Sequence, residues 1–155
     1  MIRCTFAGHR EVLVKGVKEQ VEAALAMIIS GGSSFEFYAG GMGEFDRICA
    51  NAVRKMKREQ PEKQIRLFLV CPYMTARINR EGAILHELYD DIIVLDELAD
   101  CHYKSAITKR NRWMVEQSDI ILAFVQRDYG GAYTTKKYAE KKGITVVEIA
   151  GDSNS

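Results

Sequence analysis

The chain has 155 residues, 22 lysines and arginines against 21 aspartates and glutamates, and a hydrophobic fraction of 47%. That size suits one folded domain with a real core, and two prolines with no low-complexity run argue against disorder. A net charge of +1 lacks the basic excess usual in nucleic-acid binders, although a local basic stripe can sit inside a neutral total.

Short apolar runs alternate with amphipathic stretches, which predicts βα units and an α/β, Rossmann-like three-layer fold: a mainly parallel sheet flanked by helices. The first strand is expected over 2–6, followed by Ala7-Gly8-His9-Arg10. Val14, Val17, Val21, Leu25 and Ile28 then keep helical spacing across 12–29, and Gly31-Gly32 stop that helix. A strand over 35–38 runs into Ala39-Gly40-Gly41-Met42-Gly43, a helix covers 44–59, and 65–70 is an apolar run suited to a strand covered on both faces. The middle is less regular, with a helix over 79–89, a strand over 92–95 and a helix over 105–117. The strongly apolar 120–125, a helix over 132–142 stopped by Gly143, and a strand over 144–149 complete one domain over 1–150. The small polar tail 151–155 is expected to fray.

No apolar run approaches the roughly 20 residues that cross a bilayer, and the first residues turn polar too quickly for a signal peptide. A cytoplasmic protein without a membrane partner is expected. Cys4, Cys49, Cys71 and Cys101 form no Cys-x-x-Cys hooks, so neither a metal nor a cofactor is expected, and the four read as packed thiols.

Loops leaving the carboxyl ends of parallel strands meet in one crevice. Three here suit an anionic ligand: Gly8-His9-Arg10, Gly40-Gly41-Met42-Gly43-Glu44-Phe45-Asp46, and Asp128-Tyr129-Gly130-Gly131-Ala132-Tyr133. Glycines let main-chain N–H groups approach phosphate oxygens, and each following helix adds the positive end of its dipole. Neither a Gly-Lys-Ser/Thr ending nor Gly-x-Gly-x-x-Gly spacing occurs in these loops, which disfavours nucleoside-triphosphatases and dehydrogenases.

Gly8, Arg10, Gly40, Gly41, Gly43, Gly130 and Gly131 are the expected phosphate and ribose holders, with Tyr73 or Tyr129 stacking on a base. His9 suits a donor or base, or a loop histidine that fixes local structure. Glu44 and Asp46 suit ribose hydroxyls or a base edge, while Glu44 equally favours a helix N-terminus. In Thr108-Lys109-Arg110-Asn111-Arg112-Trp113-Met114 the cations read either as ligand contacts, through Lys109, Arg110 and Asn111, or as a solvated face. Trp113 and Met114 suit the core or a subunit interface.

The chain resembles the SLOG superfamily, close to the YpsA-like proteins of Gram-positive bacteria and their phages. The resemblance rests on Thr5-Phe6-Ala7-Gly8-His9-Arg10, Tyr38-Ala39-Gly40-Gly41-Met42-Gly43-Glu44-Phe45-Asp46-Arg47, Ile107-Thr108-Lys109-Arg110-Asn111-Arg112-Trp113-Met114 and Arg127-Asp128-Tyr129-Gly130-Gly131-Ala132-Tyr133. It implies a Rossmann-like fold, a nucleotide or ADP-ribose-like ligand bound by a sensor or regulatory module, and a homodimer.

Two related families imply alternatives. The lonely-guy phosphoribohydrolases split a nucleoside monophosphate, and their Arg-Lys-x-x-Met segment resembles 110–114, with Arg110 matching an arginine that contributes to catalysis. Lys137, however, stands where their catalytic glutamate belongs, so an N-glycosidic hydrolase would need Glu44, Asp46 or Asp128 to supply the carboxylate. The DNA-processing protein A family binds single-stranded DNA, and its Gly-Ser-Arg and Ser-Gly-x-Ala-x-Gly-Ile-Asp motifs resemble 8–10 and 39–46. Single-stranded nucleic acid is therefore a further candidate partner.

Overall fold

The computed structural model describes residues 1–152. Its strands are β1 (Ile2–Gly8), β2 (Ser34–Ala39), β3 (Gln64–Cys71), β4 (Asp91–Val94), β5 (Ile120–Phe124) and β6 (Thr145–Glu148). Its helices are α1 (Val17–Ser30), α2 (Glu44–Glu59), α3 (Ala76–Leu88), α4 (Tyr103–Glu116) and α5 (Gly131–Lys142), with one 3₁₀ turn over Asp96–Leu98. The strands form one sheet in the order β4-β3-β2-β1-β5-β6, and every pairing is parallel. This is the three-layer, Rossmann-like α/β fold that the alternating pattern predicts.

One face of the sheet packs Cys4, Phe6, Phe37 and Phe124 against Val21 and Leu25 of α1, Phe45 and Val53 of α2, and Leu85 of α3. The other meets α4 and α5 through smaller clusters around Tyr38, Phe68 and Met114, and around Val115, Ile121 and Ala139. Trp113 lies in that second layer, edge-on to Tyr38 at 5.7 Å. Burying apolar side chains on both faces explains why β3 and β5 read as nearly continuous hydrophobic runs.

Two elements differ from expectation. The helical spacing from Val14 onward predicts a start near residue 12, yet α1 begins at Val17. Gly16 takes a left-handed φ of 85° at its N-cap and breaks the helix there, while Val12 and Val14 pack on the core from an irregular segment. The tail also departs from fraying at its first residues. Gly151 is buried, its carbonyl accepts from Gln20 Nε2 at 2.8 Å, and Asp152 N–H donates to Lys15 O at 2.7 Å. Residues 153–155 lie outside the described residues. Among the described residues no helix is long and apolar enough to cross a membrane.

Candidate functional site

β1 and β5 are neighbours in the sheet, although the chain visits β2, β3 and β4 between them. The connections leave β1 and β5 toward opposite faces, and a crevice opens where they part. It holds a cavity of about 730 Å³, lined by Gly8, His9 and Arg10 after β1, Gly40 and Asp46 after β2, Arg110 and Asn111 of α4, and Gly131 of α5. Three loops and one helix segment distant in sequence therefore share a single space.

The two glycine-rich turns into α2 and α5 have nearly the same backbone. Gly43 sits at φ 90°, ψ 168° and Gly130 at φ 92°, ψ 178°, and neither helix has a side-chain cap. Such a φ is easy only for glycine. Their occupancy differs. Asp46 places one carboxylate oxygen 2.9 Å from the Gly40 N–H and the other 2.9 Å from the Gly41 N–H. The Glu44 and Phe45 N–H groups at the start of α2 donate to Arg10 O (2.9 Å) and His9 O (3.4 Å). Gly40 and Gly41, expected to offer amides to a phosphate, donate them here to the protein's own carboxylate. Glu44 is likewise a strut, since its Oε1 accepts the Val12 N–H at 2.8 Å.

At α5 the turn stays open. Gly131 and Ala132 line the cavity at the helix N-terminus, and the Thr134 and Thr135 hydroxyls turn back to the Gly130 and Gly131 carbonyls at 2.9 and 2.8 Å. Arg10 and Arg127 stand exposed on the same cavity wall. This end therefore combines a helix dipole with two cations.

Arg110 is 3% exposed. Its Nη1 donates to Gly40 O (3.1 Å) and Val70 O (3.0 Å), its Nε donates to Asn111 Oδ1 (2.9 Å), and its Nη2 meets the Met42 sulfur at 3.8 Å. A Cβ on Gly40 would sit 3.1 Å from the guanidinium carbon, so that glycine makes room for the arginine. Burial lowers the Arg110 pKa, and the nearby Asp46 charge opposes the shift. Burial raises the Asp46 pKa, against the two amide donors and Arg110. Arginine and aspartate thus form a mutually compensating floor for the cavity. Because Asn111 Oδ1 is committed to Arg110, the amide nitrogen is what Asn111 can present to a ligand.

Gly8 serves packing. A Cβ there would fall 2.2 Å from the Phe45 ring, which stacks in turn on Phe124 at 5.6 Å. His9 is buried, its ring edge-on to Phe124 at 5.4 Å, with Nε2 accepting the Gln126 N–H at 2.8 Å. Burial first, then the Arg127 charge, pushes the His9 pKa down, so the neutral ring is favoured.

Of the other sequence candidates, Tyr73, Lys109, Asp128, Tyr129 and Gly130 are not among the cavity-lining residues. Lys109 Nζ lies 3.5 Å from Cys101 Sγ, and Tyr129, 65% exposed, carries the Arg127 guanidinium over its ring at 4.9 Å. Lys137 pairs with Glu140 on exposed helix surface. The sequence did not single out Glu11, Arg127, Met42 or Ile107, all of which line the cavity, and Met114, expected in the core or at an interface, is buried and lines it too. Arg127 had a readable signal, as a cation directly after a strong strand. The others needed the sheet order before they could be placed together. Among the described residues no group of three His, Cys, Asp or Glu side chains could hold a metal ion.

No protein-family model matches the chain, and no curated protein matches its sequence. Solved structures do share its fold. DNA processing protein A from Helicobacter pylori, described for its single-stranded DNA binding mode, matches with TM-score 0.69 at 16% identity, over 99% of this chain and 67% of that one. DNA processing protein A from Streptococcus pneumoniae matches with TM-score 0.70 at 13% identity; this chain, 99% covered, spans only 52% of it. The protein TM1055 matches with TM-score 0.60 at 12% identity, over 97% of this chain and 77% of that one. These likenesses show the fold alone: the three-layer, Rossmann-like α/β arrangement is shared with DNA processing protein A and TM1055.

Proposed function

We propose that this protein binds a nucleotide or nucleotide derivative such as ADP-ribose in the cavity between β1 and β5, as a sensor or regulatory module of the YpsA-like kind. The observation that carries the reading is the open N-terminus of α5 facing the same cavity as Arg10 and Arg127. A phosphoryl group fits there, because unpaired helix amides and the dipole favour an anion and the arginines add charge-assisted hydrogen bonds. Met42, Ile107 and Met114 supply apolar wall for a base, and Asn111 an N–H donor. About 730 Å³ lies within the range of small-ligand sites.

Binding without bond cleavage is the preferred reading, because Glu44 and Asp46 are held in internal hydrogen bonds, Asp128 is exposed outside the cavity lining, and Glu11, the other carboxylate of the lining, is solvent-exposed. Isothermal titration with AMP and ADP-ribose tests the proposal, with chromatography for free base as a control. Heat on mixing with unchanged ligand supports it. Absence of binding at millimolar ligand removes it, and released base moves the protein to the hydrolases.

Single-stranded nucleic acid is the second reading. It is favoured by arginines along the carboxyl edge of the sheet, Arg77 after β3, Arg10 after β1 and Arg127 after β5, and by the DNA-processing likeness. Its signature is a mobility shift that weakens steeply with added salt.

A further inference from the structure

Of the three histidines, His86 and His102 are exposed, and His9 is buried where three segments meet. Its carbonyl accepts the Phe45 N–H of α2, its ring leans on Phe124 of β5, and its Nε2 accepts the Gln126 N–H in the segment leading to α5. Gln126 is the second residue after β5, and Gly130 follows four residues later at the N-cap of α5. The His9–Gln126 bond therefore ties the loop after β1 to the turn that carries the candidate anion site.

A ring nitrogen that accepts a hydrogen bond cannot carry a proton, so the neutral ring holds its proton on Nδ1. Protonation makes both nitrogens donors. The Nε2–H then faces the Gln126 N–H, two donors with no acceptor between them, and the bond is lost. The charged groups that line the cavity with this ring are Arg10 and Glu11 on its own loop, Asp46 on α2, Arg110 on α4 and Arg127 after β5, and of these Arg127 acts on the ring.

We infer that neutral His9 is the positioning residue of the site: its Nε2 lone pair latches Gln126, and a proton on the ring releases the turn that leads into α5. The inference rests on the proposed phosphate site for its effect on binding. The latch itself needs no ligand. Two opposing effects on an anion are separable by sign. A cationic His9 would attract phosphate, whereas loss of the latch would disorganise the amides that hold it, and the latch predicts weaker binding in acid.

The test is an NMR titration of the ¹⁵N-labelled full chain from about pH 7.5 to about pH 5, the range in which histidine changes charge. It is paired with calorimetry of ADP-ribose, whose phosphates keep their charge across that range. At the upper pH the His9 ring is expected to show a proton on Nδ1 and none on Nε2. The Gln126 amide shift is expected to follow the His9 midpoint, and ADP-ribose affinity to fall about tenfold per pH unit below it, as a shrinking competent fraction requires. In His9→Gln the side-chain Oε1 reaches the place of Nε2 and can still accept from Gln126, so affinity is expected to persist and lose its pH dependence. A proton on Nε2 at the upper pH, or a Gln126 amide that ignores the His9 titration, overturns the latch. Affinity that stays flat or rises in acid while Gln126 titrates overturns the positioning role. No ADP-ribose binding at any pH, with Gln126 still following His9, overturns the binding proposal instead.

Discussion

The junctions β2–α2 and β5–α5 begin alike and end in different chemistry. Both place a glycine near φ 90° just before a helix that has no side-chain cap, and both face one cavity. In the first, Asp46 takes the Gly40 and Gly41 amides, and the Arg10 and His9 carbonyls take the Glu44 and Phe45 N–H groups. In the second, Gly131 and Ala132 meet open cavity beside Arg10 and Arg127. A glycine-rich turn after a strand thus provides the possibility of an anion site, and the surrounding side chains decide whether the protein itself uses it up.

The largest effect is expected where the closed junction is broken. Asp46→Ala leaves the Gly40 and Gly41 amides without their acceptor and removes the carboxylate whose charge favours the buried Arg110 cation. Urea denaturation is expected to show a loss of about 3 kcal/mol, the upper end for an orphaned donor, because two amides lose their partner at once. Gly8→Ala comes next. Its methyl would meet the Phe45 ring at 2.2 Å, well inside contact distance, and about 1–3 kcal/mol of overpacking cost should appear as a lowered melting temperature.

The open junction answers more to pH and charge. Burial and Arg127 hold the folded-state His9 pKa below its ordinary value of about 6.5. The unfolded chain therefore takes up this proton first. Stability from His9 is complete above about pH 6.5, declines as pH drops, and levels off below the folded-state value. Denaturation midpoints across that window should slope for the wild type and lose that part of the slope in His9→Gln. The smallest effect on stability is expected for Arg127→Ala, within about 0.5 kcal/mol for an exposed side chain. Its effect should fall on binding, about tenfold in ADP-ribose affinity, which calorimetry measures; an unchanged affinity would take Arg127 out of the site.

Much of the fold was legible because its causes are local. The run 65–70, the alternation of strand and helix patterns and the stops at Gly31 and Gly143 each carry their own signal. The early start expected for α1 shows where local periodicity misleads. Val14 keeps the helical spacing, yet Gly16 at a positive φ turns the chain before the helix begins. Of the site, the three loops could be named from strand ends alone. What fills them could not. Asp46 reaches amides five and six residues back only through the shape of the loop, and Arg110 reaches Gly40 across 70 positions. Lys109 and Arg110 are adjacent in sequence, but the turn of α4 sends one outward and buries the other. Arg127 enters the cavity because β5 lies beside β1, a neighbour relation that no single segment encodes.

The contrast between the two junctions is tested most directly by titrating ADP-ribose into ¹⁵N-labelled protein at neutral pH and following the loop amides. The account predicts that Gly131, Ala132 and Tyr133 shift with ligand, while Gly40 and Gly41 stay within the small changes seen at distant residues. Shifts concentrated at Gly40 and Gly41, with α5 silent, would place the anion on the junction that Asp46 occupies and contradict it.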